Sequence, residues 1–270
     1  MSSITELFTY DFFQKAFLAA IFASISCGII GSYIVSRRIV FISGGITHAS
    51  FGGIGLAFFV GFNPLLGAAL FAVLTGLGIQ FFTKVAEIRE DSSIAIWWSL
   101  GMALGIIFIF LTPGYTPNPM SYLFGNILTV TVSELWWMFI LNVIIIAFFT
   151  MFFSKILFVA FDEEFARAAG IPVALFNYLT ITLIALTVVL NIRVVGIILI
   201  LSLLTIPQAT ANLYTNDFKK LIILSSVFAF TGTTTGLFIS YFLNIPSGAA
   251  IIFTLVIIFA LLRLFKSLRR

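Results

Sequence analysis

The chain has 270 residues, 61% of them hydrophobic and 9% charged, whereas about a quarter of an average soluble domain is charged. So much apolar surface excludes a soluble globular fold, and the length leaves room for about eight to ten spans of some 20 residues with no separate soluble domain. The formal net charge of +4 might suggest nucleic acid in a soluble protein, but these basic residues lie between apolar runs, where membrane orientation accounts for them.

Nine apolar runs follow in chain order, at about 12–35, 46–61, 64–83, 93–112, 134–154, 174–190, 194–213, 221–243 and 248–264. The first is long and lacks a small-residue cleavage site at its end, so it reads as a retained span. Continuous runs of this kind do not match the ten-residue alternation of an outer-membrane barrel. The fold class expected is an all-α polytopic membrane protein with eight or nine spans, and residues 1–270 form one transmembrane domain. The second and sixth runs are shortest and need tilt or burial among neighbours to cross. Cys27 is the only cysteine, beside Gly28 in the first run, and reads as a small packing residue.

The loops sort by charge. Arg37 and Arg38, Lys84 and Arg89, Lys155 and Arg167, Lys219 and Lys220, and the C-terminal Arg263, Lys266, Arg269 and Arg270 all fall on one side of a nine-span chain. Of the 14 basic residues only Lys15 and Arg193 fall on the other. This positive-inside pattern puts the N-terminus outside and the C-terminus in the cytoplasm. No acidic residue sits in the middle of a run. A proton- or sodium-coupled carrier often keeps one there, which argues against that class, although broken helices can bind ions through backbone carbonyls.

Gly101 and Gly105, and Gly232 and Gly236, have the G-x-x-x-G spacing that lets membrane helices approach closely. The stretch TPGYTPNP at 112–119 cannot form a regular helix. It is expected to be an outer loop, with a short aromatic element at 121–128 after it.

Four segments carry candidate function. In 37–57, His48 is the single histidine of the chain, with Ser43, Thr47, Ser50 and several glycines around it. Such an imidazole reads either as the lining of an ion path or as a hydrogen-bonded packing residue. One histidine and one distant cysteine cannot build a closed zinc site. In the cytoplasmic loop 155–172, KILFVAFDEEFARAAGIP, Asp162 can cap a short helix begun by Glu163, Glu164 and Phe165 and ended by Gly170 and Pro172. Its apolar side and charged flanks suit docking to a soluble partner, and its three acids fit anionic lipid poorly. In 191–211, Pro207 breaks the hydrogen-bond ladder among Thr205, Gln208 and Thr210, either as a packing kink or as part of a translocation path. In 244–250, Pro246 and Gly248 open the last run, with Ser247 as its expected cap. No P-loop, nucleophile elbow or paired metal ligands appear, so the chain is not expected to be an enzyme or to carry a cofactor. Uphill transport would draw on an ion gradient or on a partner.

These stretches resemble the membrane permease subunit of the ABC-type zinc, manganese or iron importers of bacteria and archaea. The matching residues are RRIVFISGGITHASFGGIG (37–55), REDSSIAIWWSLGMALGIIF (89–108), YLFGNIL (122–128), FDEEFARAAGI (161–171), VVGIILILSLLTIPQATA (194–211) and IPSGAA (245–250). The resemblance implies a homodimer of permeases in the cell membrane, with two cytoplasmic ATP-binding subunits and an extracytoplasmic metal-binding protein. It makes the 161–171 segment the coupling helix, placing Asp162, Glu163, Phe165, Ala166, Arg167 and Gly170 at the ATPase. It aligns His48 with the histidine of a G-D-x-x-S-H-A pattern and makes it the candidate metal contact. Ser43, Thr47, Ser50, Thr205, Pro207 and Gln208 join it as candidate path residues. The serine of that pattern falls at Thr47, and counting back from His48 its aspartate falls at Gly44, next to Gly45, so no acid stands there. Either ion passage here needs no acid at that point or the substrate preference differs. The competing function is a secondary transporter or channel working without an ATPase.

Overall fold

The structure is a computed structural model and describes residues 4–113, 124–197 and 200–268. The described residues are helical wherever they are regular. After a single turn α1 (Ile4–Leu7) come α2 (Asp11–Ser36), α3 (Val40–Val60), α4 (Pro64–Lys84) and α5 (Glu90–Leu111). A 3-10 turn at Ile127–Thr129 leads to α6 (Val132–Met151), α7 (Phe153–Phe161), α8 (Glu163–Ala168) and α9 (Val173–Val195). Two short pieces, α10 (Ile200–Leu203) and α11 (Ile206–Ala211), precede α12 (Phe218–Leu243) and α13 (Ser247–Leu268). Among the described residues, eight of these helices are long and apolar enough to cross a membrane: α2 to α6, α9, α12 and α13. Most of the expected outer loop at 112–119, the start of the 121–128 element, and Arg269 and Arg270 lie outside the described residues.

The helix ends follow the local chemistry. Asn63 caps α4 by accepting from Leu65 N at 2.8 Å, with Pro64 at the first position, where a missing N–H costs nothing. Asp217 caps α12 by accepting from Lys220 N at 2.9 Å. Ser247 behaves differently from expectation. It opens α13, but its buried hydroxyl accepts from Ile127 N at 3.2 Å, tying the 3-10 turn to the last helix instead of capping α13.

The second and sixth runs, the shortest by sequence, are full helices of 21 and 23 residues. The hydroxyl residues before and within the second run cost little in a helix. Ser43 donates to Val40 O (2.7 Å), Thr47 to Ser43 O (2.5 Å) and Ser50 to Thr47 O (2.6 Å), so each hydroxyl is satisfied by its own turn. The run that does break is the seventh, 194–213. Gly196 takes φ 87°, a left-handed conformation open to glycine at no steric cost. Helix resumes for four residues, stops at Leu204–Thr205, and restarts with Pro207 near the start of α11. Proline supplies no N–H to the preceding turn, so one continuous helix is impossible there.

The chain forms two compact units. Unit one comprises Met1–Val35, Met120–Ile145 and Leu190–Arg270; unit two comprises Ser36–Pro119 and Ile146–Val189. In unit two, α3, α4 and α5 are joined by backbone contact at glycines. Gly53 meets Gly67, Gly101 meets Ala49, and Gly105 meets Phe51, each so closely that a Cβ has no room. Without a hydrophobic drive between helices in lipid, such close approach supplies the dispersion energy that holds them.

In unit one, α2 is the central helix. Asn142 gives its amide to Phe22 O (3.1 Å), Asn191 to Ser26 Oγ (3.2 Å), and Gln208 to Cys27 O (2.7 Å), while Ser32 reaches Ser225 (3.3 Å). The broken segment runs the length of this unit. At one end Gly196 abuts Gly125, near the turn bonded to Ser247; at the other, Leu213 O accepts from Lys266 Nζ and Tyr214 lies under the same ammonium. Ser247 and Lys266 stand at opposite ends of α13, about 28 Å apart at 1.5 Å per residue. The seventh run thus spans the apolar thickness, as two short helices instead of one.

Candidate functional site

The segment 155–172, expected as a loop around one short helix, holds two helices. After a bend at Phe152, α7 buries Ile156 and Val159. Asp162 then begins α8 as expected, its carboxylate accepting from Phe165 N at 2.9 Å. Gly170, at φ 74°, ends the turn ahead of Pro172.

Glu163 pins α8 to the rest of unit two. One carboxylate oxygen accepts from Arg37 Nη2 at 2.7 Å and from Asn177 Nδ2 at 3.2 Å. The other lies 3.3 Å from Lys84 Nζ and 3.7 Å from Arg167 Nη2. Arg37 also donates to Asn177 Oδ1 at 2.8 Å, closing a ring of three side chains. Burial disfavours the charged carboxylate. The amide of Asn177, the guanidinium of Arg37 and the ammonium of Lys84 outweigh it and hold the Glu163 carboxyl below its ordinary value. Ala166 is fully buried beneath the helix.

The structure therefore divides the six residues proposed for coupling. Glu163 and Ala166 turn inward and fix the helix, Asp162 and Gly170 shape its ends, and Phe165 and Arg167 lie outward. Phe165 is 51% exposed and packs edge-to-face on Phe158 with centroids 5.1 Å apart, and Phe161 beside it is 63% exposed. Phe161 at the end of α7 and Phe165 on the anchored α8 form a ready apolar contact. Sequence alone marked the helix and its outward face; the Arg37–Glu163–Asn177 ring joins residues 126 and 14 positions apart and carries no local signal.

His48 stands on α3, partly buried, with its ring stacked flat on Trp98 of α5 at 4.2 Å between centroids and 5° between planes. The stack fixes the imidazole plane. Among the described residues no group of three or more His, Cys, Asp or Glu comes together. Trp98 and Ile94 also line a pocket of about 640 Å³ with Phe41, Arg38, Arg89, Glu90 and Asp91. At Gly45, a Cβ would meet Ile94 Cγ2 at 2.6 Å, so the space a side chain would need is already filled. The Trp98 stack was not foreseen, since only the α3–α5 packing brings positions 48 and 98 together.

Thr205, Pro207 and Gln208 belong to unit one, apart from the unit-two residues Ser43, Thr47, His48 and Ser50. Thr205 donates to Leu201 O at 2.8 Å, inside the break. Gln208 is completely buried, with its amide nitrogen on α2 and its carbonyl oxygen without a partner among the described residues. Gly31 leaves the space for it, since a Cβ there would overlap the Gln208 amide.

Eight long apolar helices, a broken segment and a short helix clamped by ion pairs make this a polytopic membrane protein. Comparison with known proteins supplies the family. The profile of the ABC 3 transport family matches residues 9–266, and the chain belongs to that family. It is 40% identical over 252 residues to the uncharacterized membrane protein slr2045 of Synechocystis, covering 93% of this chain and 90% of that one. It is 36% identical over 265 residues to the manganese transport system membrane protein MntC of Listeria monocytogenes, covering 98% and 94%. Among solved structures, PsaBC from Streptococcus pneumoniae in complex with Fab superposes with a TM-score of 0.85 at 34% identity, over 96% of this chain and 95% of that one.

Proposed function

We propose that the chain is the single-domain, membrane-spanning subunit of an importer for divalent metal ions, with manganese as the first candidate cargo and zinc and iron as competitors. It forms the translocation path and hydrolyses nothing itself. ATP is used by a separate cytoplasmic subunit that docks on α8, and a metal-binding protein delivers the ion from outside to a homodimer of permeases. The reading of manganese rests on the 36% identity to a protein named for manganese transport over 98% of this chain.

The observation that carries the coupling reading is the geometry of α8. Glu163 and Ala166 bind the helix to unit two, while Phe161 and Phe165 are offered outward. A force applied at the two rings is transmitted through an anchored element and is not lost in a hinge. His48 takes the role of metal contact along the path. Its basic form must be free for that, and the Trp98 stack sets its direction. With Gly45 beside it and Ile94 filling the adjacent space, the ion passes a neutral imidazole and no carboxylate. Weak holding suits a path that must release its cargo. The basic loops put the C-terminus and α8 in the cytoplasm and the N-terminus outside.

The test is co-purification with the ATP-binding subunit. Phe165→Asp places a charge in the proposed contact and should reduce recovery of the ATPase at least tenfold, with the permease unchanged in size-exclusion profile. Full recovery would remove α8 from the coupling role. Uptake with manganese, zinc and iron in competition then identifies the cargo.

A further inference from the structure

The break in the seventh run leaves backbone acceptors inside unit one. Pro207 carries no N–H, so Leu203 O receives nothing from the residue four places on. Leu204 O likewise takes no backbone donor among the described residues. Leu203, Leu204 and Gln208 are all completely buried, so neither lipid nor bulk water reaches them. A third acceptor stands beside these carbonyls. Gln208 gives an amide N–H to Cys27 O at 2.7 Å. Cys27 O can only accept, which fixes the orientation of the amide. The Gln208 Oε1 then points elsewhere, without a partner among the described residues.

Gly31 on α2 shows how close these groups lie. A Cβ built there would stand 2.7 Å from Leu204 O and 2.7 Å from Gln208 Cδ, so the two are at most twice that apart. One water bridging two oxygens spans up to about 6 Å. Each buried acceptor left without a donor costs about 1–3 kcal/mol, which favours an occupant that can donate. A cation matches these groups poorly. It needs more oxygens than these and a countercharge, and neither α2 beyond Asp11 nor residues 190–213 hold an acid. Water donates without burying a charge.

We propose that the break between α10 and α11 is a water-binding site, in which an ordered internal water donates to Gln208 Oε1 and Leu204 O, with Leu203 O as its alternative acceptor. Bound water of this kind satisfies backbone groups freed where a helix is interrupted in a membrane. It makes the kink at Pro207 a hydrated joint, able to change angle by exchanging partners while no carbonyl is left bare. The proposal is independent of which ion the protein carries.

The experiment uses the full-length permease in nanodiscs. An experimental map resolved finely enough to show water should place a density peak about 2.7–3.2 Å from both Gln208 Oε1 and Leu204 O. Side chains packed against both oxygens, or an amide turned onto another donor, would overturn the proposal. Millisecond X-ray radiolysis read by mass spectrometry gives an independent readout, because hydroxyl radicals form where water lies. Cys27 is the only cysteine, is completely buried and meets Gln208 through its carbonyl. It should nevertheless be oxidised in the wild type. Gln208→Met keeps the length of the side chain but removes its acceptor, and should cut that oxidation severalfold. Phe13, equally buried on α2, should stay unmodified in both; its oxidation alongside Cys27 would mean general entry of water and would overturn the proposal. No oxidation of Cys27 in the wild type would do the same, even if Gln208→Met failed to fold. So would a thermal midpoint raised by sodium or potassium over choline at equal ionic strength, which would make the occupant a cation.

Discussion

Replacing Glu163 by Gln probes the anchor of α8 most directly. The side chain keeps its size and can still meet Asn177, but its charge is gone and Arg37, 19% exposed at its side chain, loses its ion partner. Two charges about 4 Å apart interact by about 4 kcal/mol at an effective dielectric of 20, and desolvation returns part of that. An exposed pair contributes up to about 1 kcal/mol, and breaking a fully buried one costs about 3–5 kcal/mol. Glu163, at 21% exposure, lies between these limits, and a loss of about 2 kcal/mol follows. At this chain length that is a fall in thermal midpoint of about 4–8 °C. The pH dependence has a defined sign. The Glu163 carboxyl is held below its ordinary value in the folded protein, so its stabilisation is complete above the ordinary carboxylate range and is lost as pH falls through the depressed folded value. The gap between wild type and variant should therefore be full at neutral pH and close in acid. The assay is thermal unfolding in detergent across pH, repeated for Arg37→Gln and the double variant. Strictly additive losses, or a gap that widens in acid, would refute the ion-pair account.

Gly45→Asp should misfold or lose about 1–3 kcal/mol through overpacking against Ile94, and Ile94→Ala in the same chain should restore folding; thermal midpoints of the single and double variants decide it. His48→Ala should lower metal uptake severalfold while assembly with the ATP-binding subunit is retained. Unchanged uptake would return the imidazole to a packing role on Trp98. Phe165→Asp should sever the ATPase contact without lowering the permease's own thermal midpoint, since its ring is half exposed.

Much of the fold could be read from the chain because a membrane imposes it. Apolar runs gave the spans, and Asp162 and Gly170 marked helix ends through local chemistry that needs no tertiary partner. Sequence marked the break at Pro207 but not the one at Gly196, and it made the second run look too short. Ser43, Gly44 and Gly45 made the second run look short, yet the Ser43 hydroxyl bonds back to its own turn and the helix begins at Val40. In the seventh run Pro207 was legible as a break, while Gly196 acts through a left-handed backbone that hydropathy does not register. For the candidate site, the surface helix and the lone histidine were visible as residue types. Their supports, Arg37 with Asn177 for one and Trp98 for the other, come from distant positions joined by packing. The inward turn of Glu163 and Ala166 likewise depends on what lies beneath α8.

On the proposed coupling, energy reaches this chain from a separate subunit through α8. Proteoliposomes holding the permease, with and without its ATP-binding subunit, measure that directly when loaded with ATP and presented with manganese and its binding protein. ATP-dependent manganese accumulation only when both subunits are present, lost with Phe165→Asp, is the result the account predicts. Manganese uptake by the permease alone, unchanged by ATP, would contradict it.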